Sequence, residues 1–133
     1  MNFIRESSTK QTNVSLRIAK HLFSNLEQWD KNIVFSPLSL QVILSIVIAG
    51  AEGPTQQQLL DFLQFESTDH LNSFASRLVT VILQDVAPAG GPCLSVANGV
   101  WVEKTLSLQA SFKEIVSSDY KAKLASVDFQ NKV

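Results

Sequence analysis

Apolar side chains occupy nine of the thirteen positions from Pro37 to Ala49, interrupted by Ser39, Gln41 and Ser45. A helix that is apolar nearly all round has to be covered on every side by protein or lie in lipid. Spanning a bilayer takes about 20 predominantly apolar residues, so this shorter, serine-broken run predicts a core helix and no membrane span. Ser36 stands where an N-cap belongs, and Pro37 takes the first helical position, where its missing N–H would have had no partner anyway. Gly50 is placed to supply the left-handed residue that closes the helix.

Upstream, Val14, Ile18, Leu22 and Leu26 recur every fourth position, and Leu16, Ala19 and Phe23 widen the stripe. That spacing predicts an amphipathic helix from Thr12 to Leu26, capped by Thr12 or Asn13. Between the two helices the run NIVF, residues 32–35, reads as a short strand through its β-branched Ile33 and Val34. Beyond Gly50 the turn AEGP contains Gly53, and Thr55 with Gln58 forms a T-x-x-Q capping box for a short helix over about Gln56–Gln64.

Leu71, Phe74, Ala75, Leu78, Val81 and Ile82 keep helical spacing and predict a helix from Asp69 to Val86, which APAGGP then breaks. From Cys93 to Val102 the pattern changes to alternation. Leu94, Val96, Val100 and Val102 fall on one face and Ser95, Ala97, Gly99 and Trp101 on the other, predicting a strand over 94–102. A further helix places Phe112, Ile115, Val116 and Tyr120 on one side, and KLASVDF offers a closing strand over 123–129. The expectation is an α+β arrangement over a single region, 1–133, with about five helices, three strands and no internal repeat.

Composition narrows the function classes. The chain has 133 residues, 45% hydrophobic and 17% charged, with eleven basic against twelve acidic side chains and a formal net charge of −1. These values describe a globular chain, and the absence of a basic cluster predicts no nucleic-acid, anionic-membrane or polyanion partner. The helix from Asp69 carries Arg77 against Asp69 and Asp85, which is no polyanion face. A lone cysteine, Cys93, cannot close an internal disulfide, and the start MNFIRESSTKQTN lacks the apolar core of a secretory signal, so a cytoplasmic or nucleocytoplasmic setting is expected.

Candidate chemistry is sparse. His21 and His70 lack an i, i+4 ligand partner, which predicts no metal and makes them surface or helix-end histidines. GAEGPT lacks the spacing and lysine of a phosphate-binding loop, and no serine lies in a G-x-S-x-G elbow. Cys93 has no base or cation beside it in sequence and reads as a buried small hydrophobe. Trp29 and Trp101, each among apolar neighbours, read as core aromatics. No enzyme and no cofactor are expected.

The order of motifs is nevertheless specific. Asn32, Ser36, Pro37 and Ser39 match an N-x-x-x-S-P-x-S pattern; Gly50, Ala51, Gly53 and Thr55 match G-A-x-G-x-T; ANGVWVEK spans Ala97 to Lys104, and SFKEIVSSDYKAKLASVDF follows. Together they resemble the N-terminal part of a serpin, the serine protease inhibitor family. The run WVEKTLSLQASFKEIV is similar to plant-type intracellular serpins, although members of the family also occur extracellularly.

The resemblance implies a truncated serpin fold: the N-terminal helices plus short strands of the family's large sheet. It places Asn32, Ser36 and Ser39 at the shutter, where polar groups hydrogen-bond strands that must part. It also implies kinship with inhibitors of serine and cysteine endopeptidases. Serpin inhibition inserts a cleaved reactive loop into the large sheet as a new strand, and the chain ends at DFQNKV, where the family continues toward that loop. The expectation is therefore a non-inhibitory chain whose partners are proteases by family resemblance alone, or a truncated gene product without a function of its own. A second expectation is an interaction module that pairs, or self-associates, through the open strand edge 94–102. A third, simple occlusion of a protease active site, has APAGGP as its candidate loop, with no basic residue to suit a trypsin-like pocket.

Overall fold

The structure, a computed structural model, describes residues 2–24 and 32–131. Leu26 and Trp29, singled out in the sequence, lie outside the described residues. The single region expected over 1–133 divides into two compact units, Met1–Leu71 and Asn72–Val133.

In the first unit α1 (Asn2–Ser24), α2 (Pro37–Gly50) and α3 (Gly53–Leu63) pack against one another. α1 starts at Asn2, so Thr12 and Asn13 lie inside it and do not cap it. The Thr12 hydroxyl donates instead to the Ser8 carbonyl, at 3.0 Å, the back-bond by which threonine fits a helix interior. The buried positions of α1 include Ser7, Gln11 and Val14, whereas Leu16, Leu22 and Phe23 of the predicted stripe are exposed.

Residues 32–35 belong to no helix or strand. A strand requires a hydrogen-bonded neighbour, and the sheet of the described residues contains none for this run. Val34 is 98% exposed there, and Phe35 meets Phe23 edge to face with centroids 5.9 Å apart. α2 begins as the sequence predicts, with Ser36 extended and capping and Pro37 in the first turn. Its end differs: Gly50 is helical and extended Ala51 is the C-cap. Gln56 explains why no left-handed residue is needed, because its Nε2 donates to the carbonyls of Ile48 (3.2 Å) and Ala51 (2.6 Å).

The left-handed conformation falls on Gly53, φ 60°, the first residue of α3. Thr55 and Gln58 are consequently inside α3, the N-cap is Glu52 without a side-chain hydrogen bond, and the predicted capping box does not form. Gln64, φ 61°, closes α3 with a left-handed C-cap. The core of this unit comprises Val14, Val42, Ile46, Ile48, Leu60 and Leu63 with Phe65 and Leu71.

Helix α4 (Thr68–Arg77) starts under a serine cap, Ser67 Oγ accepting from the His70 N–H at 3.3 Å. It passes into a π-helical turn, Leu78–Ile82, and ends short of the predicted Val86. Asp85 then takes the N–H of Ala87 at 3.0 Å, and Ala87–Ala89 forms a 3₁₀ turn closed by left-handed Gly90.

The second unit holds β1 (Asn98–Glu103), α5 (Ala110–Ser118) and β2 (Ala122–Val127). β1 and β2 pair in parallel, Asn98 opposite Ala122 through Glu103 opposite Val127, with α5 as the crossover packed on β2. The predicted strand 94–102 is thus shorter at its start. Lys121 turns with φ 51° just before Ala122, so β2 offers no partner upstream of Asn98, and residues 94–97 stay outside the ladder and exposed, the Leu94 N–H donating to Asp85 Oδ1 at 3.4 Å. At the other end the strand expected over 123–129 stops at Val127, where Asp128 accepts the N–H groups of Gln130 and Asn131 and forms a turn. Val116 of α5 and Ala122 of β2 are buried, as is Tyr120 between the two elements, Val116 and Tyr120 fully so.

Among the described residues no helix is long and apolar enough to cross a membrane. α2 is apolar on all sides but covered on one: Val42, Ile46 and Ile48 are buried, while Ile43 (54%) and Val47 (49%) face outward.

Candidate functional site

The polar residues on α2 form two connected groups. At the helix start the Ser39 N–H donates to Ser36 Oγ at 3.2 Å, and the Ser39 hydroxyl donates to the same oxygen at 2.9 Å. Ser36 is therefore a double acceptor that satisfies an orphan N–H of the first turn. Asn32 lies exposed four residues before Ser36 and takes no part in this pair. Ser36 and Ser39 are thus brought together by local capping geometry.

One turn deeper stands a group that sequence reasoning missed. Gln41, read in the sequence as an interruption of an apolar run, is 3% exposed. Its Nε2 donates to the Gln11 carbonyl at 3.0 Å and to Ser15 Oγ at 2.6 Å, and Ser45 Oγ donates to the Gln41 carbonyl at 2.7 Å. Gln11 Nε2 in turn donates to the Leu63 carbonyl at 2.9 Å, satisfying the end of α3. Gln41 Oε1 is buried without a hydrogen-bond partner among the described residues. The signal in the sequence is the pair Gln41 and Ser45, one helical turn apart in otherwise apolar surroundings. The buried amides act as links: Gln41 fastens α2 to α1, and Gln11 fastens α1 to the end of α3.

The second unit contributes a clamp and an open sheet. At the C-terminal ends of the strands the Lys104 N–H donates to the Val127 carbonyl at 2.8 Å, Glu103 Oε2 accepts from the Phe129 N–H at 2.8 Å, and the Lys104 ammonium pairs with the Asp128 carboxylate. The Lys104 hydrogen bond, with those from Asn131 and Gln130, lowers the pKa of Asp128 to about 2. In the first unit Glu6 accepts from Lys10 one turn on, at 2.9 Å, and raises the lysine above its ordinary value. Because the sheet has two strands, each keeps an outer edge without a strand partner among the described residues.

Other singled-out residues stand apart. Trp101 is 62% exposed, its ring lying over Gly99 so closely that a Cβ there would meet a ring atom at 2.4 Å. The core role expected of Trp101 fails, because none of the described residues covers its side chain. Cys93 is likewise exposed, on the unpaired stretch before β1, where no neighbour buries it. His21 and His70 are exposed, and no group of three or more His, Cys, Asp or Glu side chains among the described residues could hold a metal ion.

The arrangement as a whole defines a structural scaffold: capped helices, a parallel strand pair and no converging catalytic groups among the described residues. Residues 9–133 match the family described as Serpin (serine protease inhibitor). The chain is 48% identical over 129 residues to Serpin-ZX of Arabidopsis thaliana, covering 97% of this chain and 33% of that protein. It is 42% identical over 129 residues to Serpin-Z1C of Triticum aestivum, covering 97% and 32%. The solved structure of Arabidopsis AtSerpin1 in its native stressed conformation superposes with a TM-score of 0.89 at 48% identity, over 97% of this chain and 33% of that one. The chain belongs to the serpin family, and it spans about a third of the length of the relatives it matches. The plant-type, N-terminal serpin resemblance carried by the four motifs is the relationship these comparisons show.

Proposed function

We propose that these 133 residues act as a scaffold segment of the serpin fold and do not inhibit proteases by themselves. The observation that carries this reading is the share of the family the chain spans, about a third, combined with a fit of TM-score 0.89 to a serpin in its native stressed conformation. Inhibition by loop insertion needs a sheet into which a new strand can enter between two others. Here the sheet of the described residues is the single pair β1 and β2. In this reading the outward Ile43 and Val47 of α2 and the outer strand edges are surfaces that a longer serpin chain covers. Mixing the chain with trypsin-like and papain-like proteases and running denaturing gels tests it. The expected result is free protease and digested chain; a band at the summed mass, stable to denaturant, contradicts it.

A second reading has its own observation. The outer edges of β1 and β2 have no strand partner among the described residues, and Trp101 on β1 and Leu94 and Val96 before it are exposed. An unprotected strand edge recruits another strand, so self-association through β1 is the interaction this chain is built to make.

A further inference from the structure

One cavity in the first unit belongs neither to the scaffold contacts nor to the sheet edge. A groove of about 680 Å³ opens along the last two turns of α1, lined by the apolar Ile18 and Leu22 with Phe62 of α3 and by the polar Arg17, Lys20, His21 and Ser24. Its size suits a small organic molecule, since such sites run from about 300 to 1,000 Å³. Among the described residues Arg17, Lys20 and His21 line it and no acidic side chain does, in a chain whose net charge is −1. The ion pairs of Lys10 with Glu6 and of Lys104 with Asp128 lie elsewhere, and no carboxylate pairs with Arg17 or Lys20 among the described residues.

The Arg17 guanidinium sits 5.4 Å from the centroid of the Phe62 ring. A cation–π contact is an electrostatic attraction to the ring and does not use up the five guanidinium N–H donors, so donors remain for a bidentate acceptor. The negative end of the α1 dipole opposes an anion at the very end of the helix, but that effect fades beyond the last turn. Arg17 lies nearly two turns back, and Ser24 Oγ already donates to the Lys20 carbonyl at 2.7 Å.

We propose that this groove binds small amphipathic carboxylates, the carboxylate held by Arg17 with Lys20 and the apolar body laid on Ile18, Leu22 and Phe62. The site is independent of protease inhibition, because it lies within the α1–α3 pair and involves neither strand.

The test is calorimetric titration of the full chain with 2-naphthoate and with its uncharged isostere 2-naphthamide. Saturable binding of one naphthoate per chain is expected, with the amide weaker by about tenfold, the scale of one lost charge-assisted contact. Arg17→Gln should weaken naphthoate by about tenfold too, whereas Lys113→Gln, on α5, should leave it unchanged. Circular dichroism confirms that both variants keep their helices. The proposal is overturned by any of three results: no saturation at millimolar naphthoate, equal affinity for the amide, or the same loss in both variants.

Discussion

Tyr120 donates its phenolic hydrogen to Asn72 Oδ1 at 2.7 Å across 48 residues of chain, with both side chains buried. Its backbone carbonyl accepts from Asn98 Nδ2 at 2.9 Å, so one residue after α5 is tied both to α4 and to the start of β1. Removing the hydroxyl leaves the Asn72 oxygen buried and unpaired, a loss of about 1–3 kcal/mol. Tyr120→Phe should therefore lower the unfolding free energy by that amount, seen as a lower denaturant midpoint at unchanged slope, which equilibrium unfolding followed by circular dichroism measures.

The Ser36 cap gives a second expectation. Ser36→Ala loses an acceptor for the Ser39 N–H and should destabilise by about 0.5–2 kcal/mol. Ser36→Asp keeps an acceptor and should recover most of it. An unchanged midpoint in the alanine variant would show that the first turn of α2 is satisfied without this serine.

Helix α2 and its cap are legible in the sequence because every determinant is local: Ser36, Pro37 and an apolar run. α5 is legible for the same reason, its buried Val116 standing at the predicted spacing. What the sequence hides depends on distant partners. The first turns of α1 carry Ser7 and Gln11, polar residues that become buried only because α2 and α3 supply acceptors or cover, so no hydrophobic period announces them. Residues 94–97 alternate as a strand should, yet pairing is decided by where Lys121 turns the chain into β2. Trp101 and Cys93 read as core residues from their neighbours in sequence, although burial is set by layers packed from elsewhere. Of the site residues, Ser36 and Ser39 meet as their spacing suggests, whereas Gln41 is recognisable only once its acceptors on α1 are known.

Asp128 makes the strand clamp pH dependent. Its pKa is depressed from 3.8 to about 2, so its contribution is fully present above the unfolded value and is lost as pH falls through the folded one. The ends of β1 and β2 should loosen between about pH 4 and pH 2. Asp128→Asn should be less stable than the parent at pH 7, and the two stability curves should converge below pH 2 when midpoints are recorded across that range. Added salt should narrow the difference at pH 7, because the Lys104–Asp128 pair is solvent-accessible.

Self-association through the sheet predicts a concentration-dependent mass. Val100 stands mid-strand opposite Leu124, and Val100→Pro removes a donor and fixes φ there. Light scattering at matched concentration should show the parent associated and the variant less so, with circular dichroism confirming retained helix. A monomeric parent, or a folded variant that associates equally, removes the edge as the sticky surface.

The central claim is that this serpin-family chain does not by itself trap proteases, and active-site titration tests it most directly. A trypsin-like and a papain-like protease are each incubated with a molar excess of the chain, and their remaining active sites are counted with an irreversible titrant. The account predicts the same number of titratable sites with and without the chain, at every incubation time. A stoichiometric, time-dependent loss of sites that survives removal of free chain would contradict it.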